Sequence, residues 1–408
     1  MAACAVLASF SVILIPEGEA AKAQGTSQSR TGSANSPVCG DKLCSEIADS
    51  PWQHTQRSAP QIDGCKSHEG QTRTFYIAAD EVVWDYTPTG INQIRGHEFG
   101  EDEGVFVQTA ENQIGSKYKK ALYRQYTDGS FSELEQRALE WEHLGILGPV
   151  IHAKVCDTIV VVFRNNAAEI SYSMHPHGVF YEKDSEGARY NDGTSDAGDT
   201  IPPGGEHTYV WPVPLRAGPG PNDPSSIVWM YHSHVNSVMD TSSGLVGPII
   251  ITAKDMADKD GRPADVDREL VSLFTVHDEN SSHYLCENAE SFTGSSCDEL
   301  SKDGNFEEGN LMHGINGYVY GNQPVPELKK GENVRWYLIG MGTEVDLHTP
   351  HWHGQTALWN GMRVDVMELL PASLKTVDLV PDNVGTWMFH CHVNDHISAG
   401  MLSLFTVA

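Results

Sequence analysis

The stretch Tyr231-His232-Ser233-His234-Val235-Asn236 returns late in the chain as Phe389-His390-Cys391-His392-Val393-Asn394. A second stretch is repeated in the same way: Tyr172-Ser173-Met174-His175-Pro176-His177-Gly178 is matched by His348-Thr349-Pro350-His351-Trp352-His353-Gly354. One module is therefore written twice. Side chains alternate along an extended chain, so each His-x-His on a strand would aim both imidazoles at one face. The surrounding text reads as strands. Phe75-Tyr76-Ile77, Thr158 to Phe163 and Gly247 to Ile251 in the first half are short, apolar and bounded by turn residues. Leu270 to Val276, Val334 to Ile339, Thr376 to Val380 and Met401 to Val407 repeat the pattern in the second half. Many short strands without long helical periodicity predict an all-β fold of two β-sandwiches in tandem. The charged stretch Lys254 to Asp267, with Gly261 and Pro263, reads as their linker, which sets the modules at 72–255 and 268–408.

The two copies differ in one respect. Overlaid, His348, Cys391 and His396 of the second copy fall on Tyr172, Ser233 and Val238 of the first, and Met401 falls near Leu245. A thiolate, two imidazoles and a distant thioether make a blue-copper electron-transfer site. The second module carries that set; the first lacks every member of it but keeps both His-x-His pairs. The remaining eight histidines, in four pairs, suffice for three further coppers. Cys391 lies between His390 and His392, so an electron entering at its sulfur has a short covalent route to whatever those imidazoles bind. The competing account of Cys391, a buried thiol or a disulfide partner, fits its neighbours poorly. The isolated residues His54, His68, His97, His152, His207, His277 and His283 are read as satisfied core or surface histidines.

A length of 408 residues allows two to three domains, and 39% hydrophobic with 20% charged residues is an ordinary globular composition. The net charge of -28 argues against nucleic acid or an anionic membrane as partner and would concentrate cations. Ala2 to Ile15 is a continuous apolar run, too short to span a bilayer, followed by Ala21-Lys22-Ala23. Residues 1–23 are thus read as a cleaved export signal, although no cation precedes the apolar run. Residues 24–71, rich in Ser, Gly, Gln and Pro, read as an extended N-terminal arm. The cysteines agree with a secreted or periplasmic setting. With Cys4 in the signal and Cys391 a ligand, six remain: Cys39, Cys44, Cys65, Cys156, Cys286 and Cys297. Cys286 and Cys297 bracket a short loop and suit a disulfide; the pairing of the other four stays open. Asn280-Ser281-Ser282 is a glycan acceptor sequence.

From about Thr74 onward the chain resembles the ceruloplasmin–hephaestin branch of the multicopper oxidases, cut down to two domains. Tyr76 to Val82, Lys119 to Asp128, His143 to Pro149, Asp278-Glu279-Asn280, Met312 to Gly317 and Gly385-Thr386-Trp387 carry the likeness. The resemblance implies two cupredoxin-type Greek-key sandwiches and four coppers per chain. It places a type 1 copper on His348, Cys391, His396 and Met401, and a type 2 copper on His175 and His351. One type 3 copper falls to His177, His232 and His392, the other to His234, His353 and His390. Six-domain relatives close a ring where their first and last domains meet. A two-domain chain would rebuild that ring as a cyclic homotrimer, its trinuclear sites shared between subunits. The implied reaction couples four one-electron oxidations at the type 1 copper to reduction of O2 to water. Ferroxidases of this branch bind Fe2+ through a Glu, a His and an Asp, which match Glu308, His313 and Asp395. The bland account makes Met312-His313-Gly314 a structural loop and Asp395 an acceptor for His396. Three other functions compete with a ferroxidase. One is a laccase-like oxidase of phenols or aromatic amines, in which Asp395 takes the phenolic proton. Another is a nitrite reductase, which would lack the type 3 histidines; the last is a non-enzymatic interaction module.

Overall fold

The computed structural model describes residues 64–65, 70–194, 197–343 and 346–408. The expected export signal, most of the expected arm, Cys39, Cys44, His54 and His68 lie outside the described residues. The first sandwich is built from β1 (Thr72–Asp85), β2 (Lys117–Tyr126), β3 (Ile151–Lys154), β4 (Thr158–Asn165), β5 (His175–Pro176), β6 (Glu206–Pro212), β7 (Ser226–His232) and β8 (Val246–Thr252). Its sheets run β2-β1-β4-β6 and β3-β8-β7-β5. The second uses β9 (Arg268–Asp278), β10 (Leu311–Ile315), β11 (Glu327–Leu328), β12 (Val334–Gly340), β13 (Pro350–Trp352), β14 (Ala357–Trp359), β15 (Met362–Val364), β16 (Leu374–Leu379), β17 (Gly385–Cys391) and β18 (Leu402–Val407). Its sheets run β10-β9-β12-β16-β14-β15 and β11-β18-β17-β13. The duplication extends to the pairing: β1 lies parallel to β4 as β9 lies parallel to β12, and β3–β8 parallels β11–β18. Helices are short: α1 (Glu101–Val107), α2 (Ser237–Ser243), α3 (Leu285–Thr293), α4 (Cys297–Leu300), α5 (Gly304–Gly309) and α6 (Asn394–Ser398).

Strand β8 explains why its sequence reads as one apolar run rather than alternating. Ile249 and Ile251 enter the core of the first sandwich, while Val246 and Ile250 face the second. Strands β9 and β12 divide likewise: Leu270, Phe274, Trp336 and Leu338 fill the second core, and Val271, Leu273, Tyr337 and Ile339 meet β7 and β8. Strands covered on both faces need no polar side. Burying each large side chain in this seam contributes about 1.5–3 kcal/mol, which joins the sandwiches firmly. A second contact buries Tyr86, Tyr118, Phe306, Met312 and Tyr320 together. Beside it, Lys120 donates to Glu279 in an ion pair with no solvent exposure on either side chain. Removing one partner of such a pair strands a buried charge at a cost of about 3–5 kcal/mol.

Of the described cysteines, Cys391 is free and the other four form two bridges, Cys65–Cys156 and Cys286–Cys297. The second is the pair expected from spacing; the first ties the start of the described chain to the turn before β4. Both suit an oxidising compartment. Among the described residues no helix is long and apolar enough to cross a membrane. The stretch Lys254–Asp267 between the sandwiches is tied down: Arg262 pairs with Glu140 at 2.9 Å, and Gly261 accepts from Thr252 Oγ1 at 2.8 Å. The half-buried side chain of Asn280 is engaged within the fold. Its Nδ2 donates to Asp278 at 3.0 Å and to the Glu307 carbonyl at 2.9 Å, and its Oδ1 accepts from Asn310 at 3.0 Å.

Candidate metal centres

Register sets the histidines out in the same way twice. In the antiparallel pair β5–β7, His175 stands opposite His232; in β13–β17, His351 stands opposite His390. The glycine after each pair, Gly178 at φ +77° and Gly354 at φ +68°, is left-handed. A Cβ there would lie 2.2 Å from the ring of Trp229 and 2.6 Å from that of Trp387. Only glycine lets the chain turn beneath those tryptophans without strain.

Each set of four rings gathers within its own sandwich. In the first, Nε2 of His177 lies 3.1 Å from Nε2 of His232, and the ring of His175 lies 5.2 Å from that of His234. In the second, Nε2 of His353 and Nδ1 of His351 lie 3.0 Å and 3.2 Å from Nε2 of His390. His351, His353 and His390 bring their ligand nitrogens within 4.8 Å of one another. The ring of His392 lies 5.3 Å from that of His351. Backbone carbonyls orient several rings. His175 Nδ1 donates to Glu186 at 2.7 Å, His232 Nδ1 to Ser233 at 2.9 Å and His390 Nδ1 to Cys391 at 2.6 Å. A carbonyl only accepts, so the proton sits on Nδ1 and Nε2 keeps its lone pair for a metal. Burial holds His232 down to about 3 and His177 and His390 down to about 4, keeping all three neutral and ligand-ready at physiological pH. Among the described residues, no hydrogen bond or ring contact joins one quartet to the other.

Cys391, His348 and His396 bring their ligand atoms within 4.8 Å of one another, all buried. Nδ1 of His348 and Nδ1 of His396 are 3.2 Å apart, and Cys391 Sγ lies 3.4 Å from the latter. Met401 is fully buried in the same core cluster as Cys391, and the Cys391 amide donates to its carbonyl at 3.1 Å. Burial raises the Cys391 thiol, but His348, His396 and backbone amides more than offset this and bring it down to about 6. This donor set, a thiolate-prone cysteine with two converging imidazoles, fits a blue copper. Sequence reading overlooked Asp346, the residue that orients His348. Asp346 Oδ1 lies 3.4 Å from His348 Nε2, a charge contact rather than an aligned hydrogen bond, and is held by the Val276 amide at 2.7 Å. The carboxylate keeps Nδ1 of His348 turned to the sulfur. Asp346-Leu347-His348 could have signalled this, since alternate residues share a face.

In the first sandwich the equivalent place is closed. Ser233 Oγ donates to Asp240 at 2.6 Å, and His283 Nε2 lies 2.8 Å from the other oxygen of that buried carboxylate. Tyr172, where His348 would be, hydrogen-bonds Tyr284 at 3.1 Å. The Ser233 amide donates to Leu245 as Cys391 donates to Met401, so Leu245 is the counterpart of that methionine.

The candidate iron ligands are placed less tightly. The His313 ring lies 5.2 Å from that of His396, and burial pushes it down to about 4. Glu308, on α5, and Asp395, on α6, are exposed. These three residues do not converge within 4.8 Å, and among the described residues no hydrogen bond joins Asp395 to His396. Of the isolated histidines, His152 pairs with Glu269 at 3.2 Å and His283 with Asp240, but Nε2 of the buried His277 has no protein partner.

Comparison with known proteins agrees with this geometry. Residues 142–256 and 294–408 each match a family model described as multicopper oxidase. Ferroxidase HEPHL1 of Homo sapiens is 45% identical over 342 residues, covering 82% of this chain and 29% of the relative. Hephaestin of Mus musculus is 40% identical, covering 83% and 30%, and ceruloplasmin of Homo sapiens 40%, covering 82% and 32%. The chain thus spans about a third of the length of these curated relatives. Among solved structures, a copper nitrite reductase from Nitrosomonas europaea superposes with TM-score 0.53 at 17% identity, covering 83% of this chain and 94% of that one. The multicopper oxidase mgLAC gives 0.52 at 18%, covering 83% and 86%. At such identities these two support the cupredoxin-type fold alone.

Proposed function

This chain belongs to the multicopper oxidase family, and from that membership we propose that it is a ferroxidase, taking electrons one at a time from Fe2+ and passing four to O2. Copper, when bound, supplies the one-electron acceptor at Cys391 and the four-electron site for O2 at the histidine quartets. The chain's own residues do the rest. Cys391, His348, His396 and Met401 would hold the accepting metal, and Asp346 orients His348. The sulfur connects to both quartet neighbours through the backbone, and the His390 Nδ1–H bond to the Cys391 carbonyl adds a shortcut of 2.6 Å.

Each quartet is half a cluster. His177 with His232, and His353 with His390, are pre-paired through Nε2, His351 approaches the latter pair through Nδ1, and His175, His234 and His392 are left to complete a facing set. A cyclic homotrimer, in which the first sandwich of one subunit meets the second of its neighbour, would supply the missing halves. We further read the chain as extracytoplasmic and exported through its N-terminal segment, in keeping with the disulfides.

The observation that carries the iron reading is the 5.2 Å approach of His313 to the ligand ring of His396. Iron bound there lies one side chain from the accepting centre, and Glu308 and Asp395 can swing in from solvent to complete carboxylate ligation. The reductant test is Glu308→Ala, assayed with Fe2+ and with a bulky phenol. The variant is expected to raise KM for Fe2+ at least about tenfold, as loss of one ligand carboxylate would, and to leave the phenol rate unchanged. Equal loss on both substrates would reject the iron site. Oxidation of phenols is the second reading. Leu347 and Leu370, 51% and 53% exposed, flank the His348–Leu369 bridge and offer an apolar rim for an aromatic ring.

A further inference from the structure

Beside the first quartet, between the two sandwiches, lies a cavity of about 360 Å³. Its lining combines the four quartet histidines and Ser242 of the first sandwich with His277 of the second. At about 30 Å³ per water it holds roughly a dozen waters. His277 is only 3% exposed, yet its Nε2 makes no hydrogen bond with protein. An imidazole nitrogen in that position is costly unless the cavity side satisfies it.

Behind this wall lies the Lys120–Glu279 pair. Lys120 Nζ donates to Glu279 Oε1 and to the carbonyl of Ser242 at 2.8 Å, so it reaches the cavity lining directly. Tyr86 donates to Glu279 Oε1 at 2.5 Å, and its ring lies 5.7 Å from that of His277. Glu279 Oε2, fully buried, has no protein partner either. Two orphaned polar atoms therefore sit two residues apart at the end of β9, both beside Tyr86.

We propose that His277 and the buried Lys120–Glu279 pair pass protons through this cavity to the first quartet, the half of the O2-reducing cluster that this chain presents there. The inference rests on the oxidase reading above. One O2 takes four electrons and four protons to give two waters: four Fe2+ supply the electrons, and bulk water supplies the protons. In each transfer the Lys120 ammonium gives a proton through Glu279 to water held at His277 Nε2. A proton from water that enters the cavity beside Ser242 then restores the ammonium, so the chain itself is unchanged. Burial pushes Lys120 down and Glu279 up, which narrows the gap between the charged and neutral forms of the pair. Burial also takes His277 down to about 3, so its ring is neutral and one nitrogen is free to accept. The other groups facing the unit are Tyr86 just after β1, Tyr118 on β2, Asp278 beside Glu279, and Asp346 two residues before His348.

The test uses the full chain, copper-loaded, with His277→Phe and Glu279→Gln. Blue absorption and copper content are expected to match wild type. O2 uptake should fall roughly a hundredfold, the low end for positioned proton transfer, with a larger solvent deuterium isotope effect. Wild-type rates and isotope effects in both variants would overturn the proposal. A second measurement needs no copper. Infrared spectra of the metal-free protein should show a buried carboxylic-acid band growing on acidification, missing in Glu279→Gln and shifted in midpoint in His277→Phe. An unshifted midpoint overturns the coupling. A wild-type protein that takes up no copper would instead remove the oxidase reading, while the infrared result still decides whether the groups share a proton.

Discussion

Ser233 and Cys391 hold the same place in two copies of one module. The amide of each donates to the counterpart carbonyl, Leu245 at 3.2 Å and Met401 at 3.1 Å. Each side chain also accepts from an equivalent amide, Ser173 at 3.1 Å and Thr349 at 3.3 Å. Even the hydroxyls of Ser173 and Thr349 repeat, accepting from the amides of His234 and His392 at 3.0 Å and 3.1 Å. The backbone frame around Cys391 is thus present in both copies, and what the loop encloses differs. In the second, a loop two residues shorter brings His396 to the sulfur. In the first, Val238 turns out, 61% exposed, and Asp240 fills the interior. Asp240 accepts from Ser233 Oγ, from the Val235 and Asn236 amides at 3.0 Å each, and faces His283. The comparison teaches that this frame, without the Cys391-type ligand set, leaves polar groups that need another partner, and one buried carboxylate serves them all.

The largest effect should come from making the copies alike. Cys391→Ser is expected to remove blue colour and reduce iron oxidation to background, read by visible absorption and O2 uptake. The reverse change, Ser233→Cys, should create no second blue centre, because Tyr172, Val238 and Leu245 offer no ligand there. A new blue band would show that the frame alone makes the site.

Next comes the division of labour between the quartets. His177→Ala and His392→Ala should each inactivate the enzyme. Co-assembled in equal amounts they should recover about a quarter of wild-type activity, since half the first sandwiches and half the second are intact and pair at random. No recovery would mean that the cluster is not shared between chains.

A smaller effect falls on the closed copy. Asp240→Ala leaves four hydrogen-bonding groups, on Ser233, Val235, Asn236 and His283, without their partner, at a cost of about 3 kcal/mol in denaturant unfolding, the upper end for a buried unsatisfied group. The blue spectrum should not change. A loss of colour would show that the two copies are coupled through the seam.

The least effect lies in that seam. His143 is buried, with its Nδ1 hydrogen-bonded to the Glu140 carbonyl at 2.9 Å and its Nε2 accepting from the Val271 amide at 3.1 Å. Burial lowers its pKa to about 3. The unfolded chain binds a proton there below about pH 6.5, whereas the folded chain stays neutral until about pH 3, so stability present above pH 6.5 drains away through that window. By pH 5 the loss is about 2 kcal/mol, measurable by unfolding metal-free protein at both pH values. His143→Gln, which still accepts from Val271, should lack that part of the slope.

Much of this was legible in the chain because it depends on local period and repetition. His-x-His on a strand aims two rings one way whatever the fold around it, and a duplicated motif reveals its own departures, Cys391 against Ser233. Strands β1, β4, β8, β9, β12, β16 and β18 could be read from short apolar runs between turn residues, whereas β2, β6 and β10 were not. Asp240 and His277 could not be read, and the Asp346-Leu347-His348 spacing gives only the shared face of Asp346 and His348. Their roles depend on which group a distant strand or loop delivers: the Val276 amide to Asp346, the His283 ring to Asp240, the Tyr86 ring to His277. The Cys65–Cys156 bridge, across 91 residues, was open for the same reason, since several pairings satisfy the spacing. So too with Asn280, whose motif is local but whose amide is taken up by Asp278, Asn310 and Glu307. The order of residues along the chain settled which donor atoms exist and which strand face carries them. Three-dimensional packing settled how closely they converge, which polar groups are left without a partner, and that each quartet is gathered within one sandwich. Alternation and repetition act over a few residues, whereas burial and convergence are set by contacts between segments far apart in the chain.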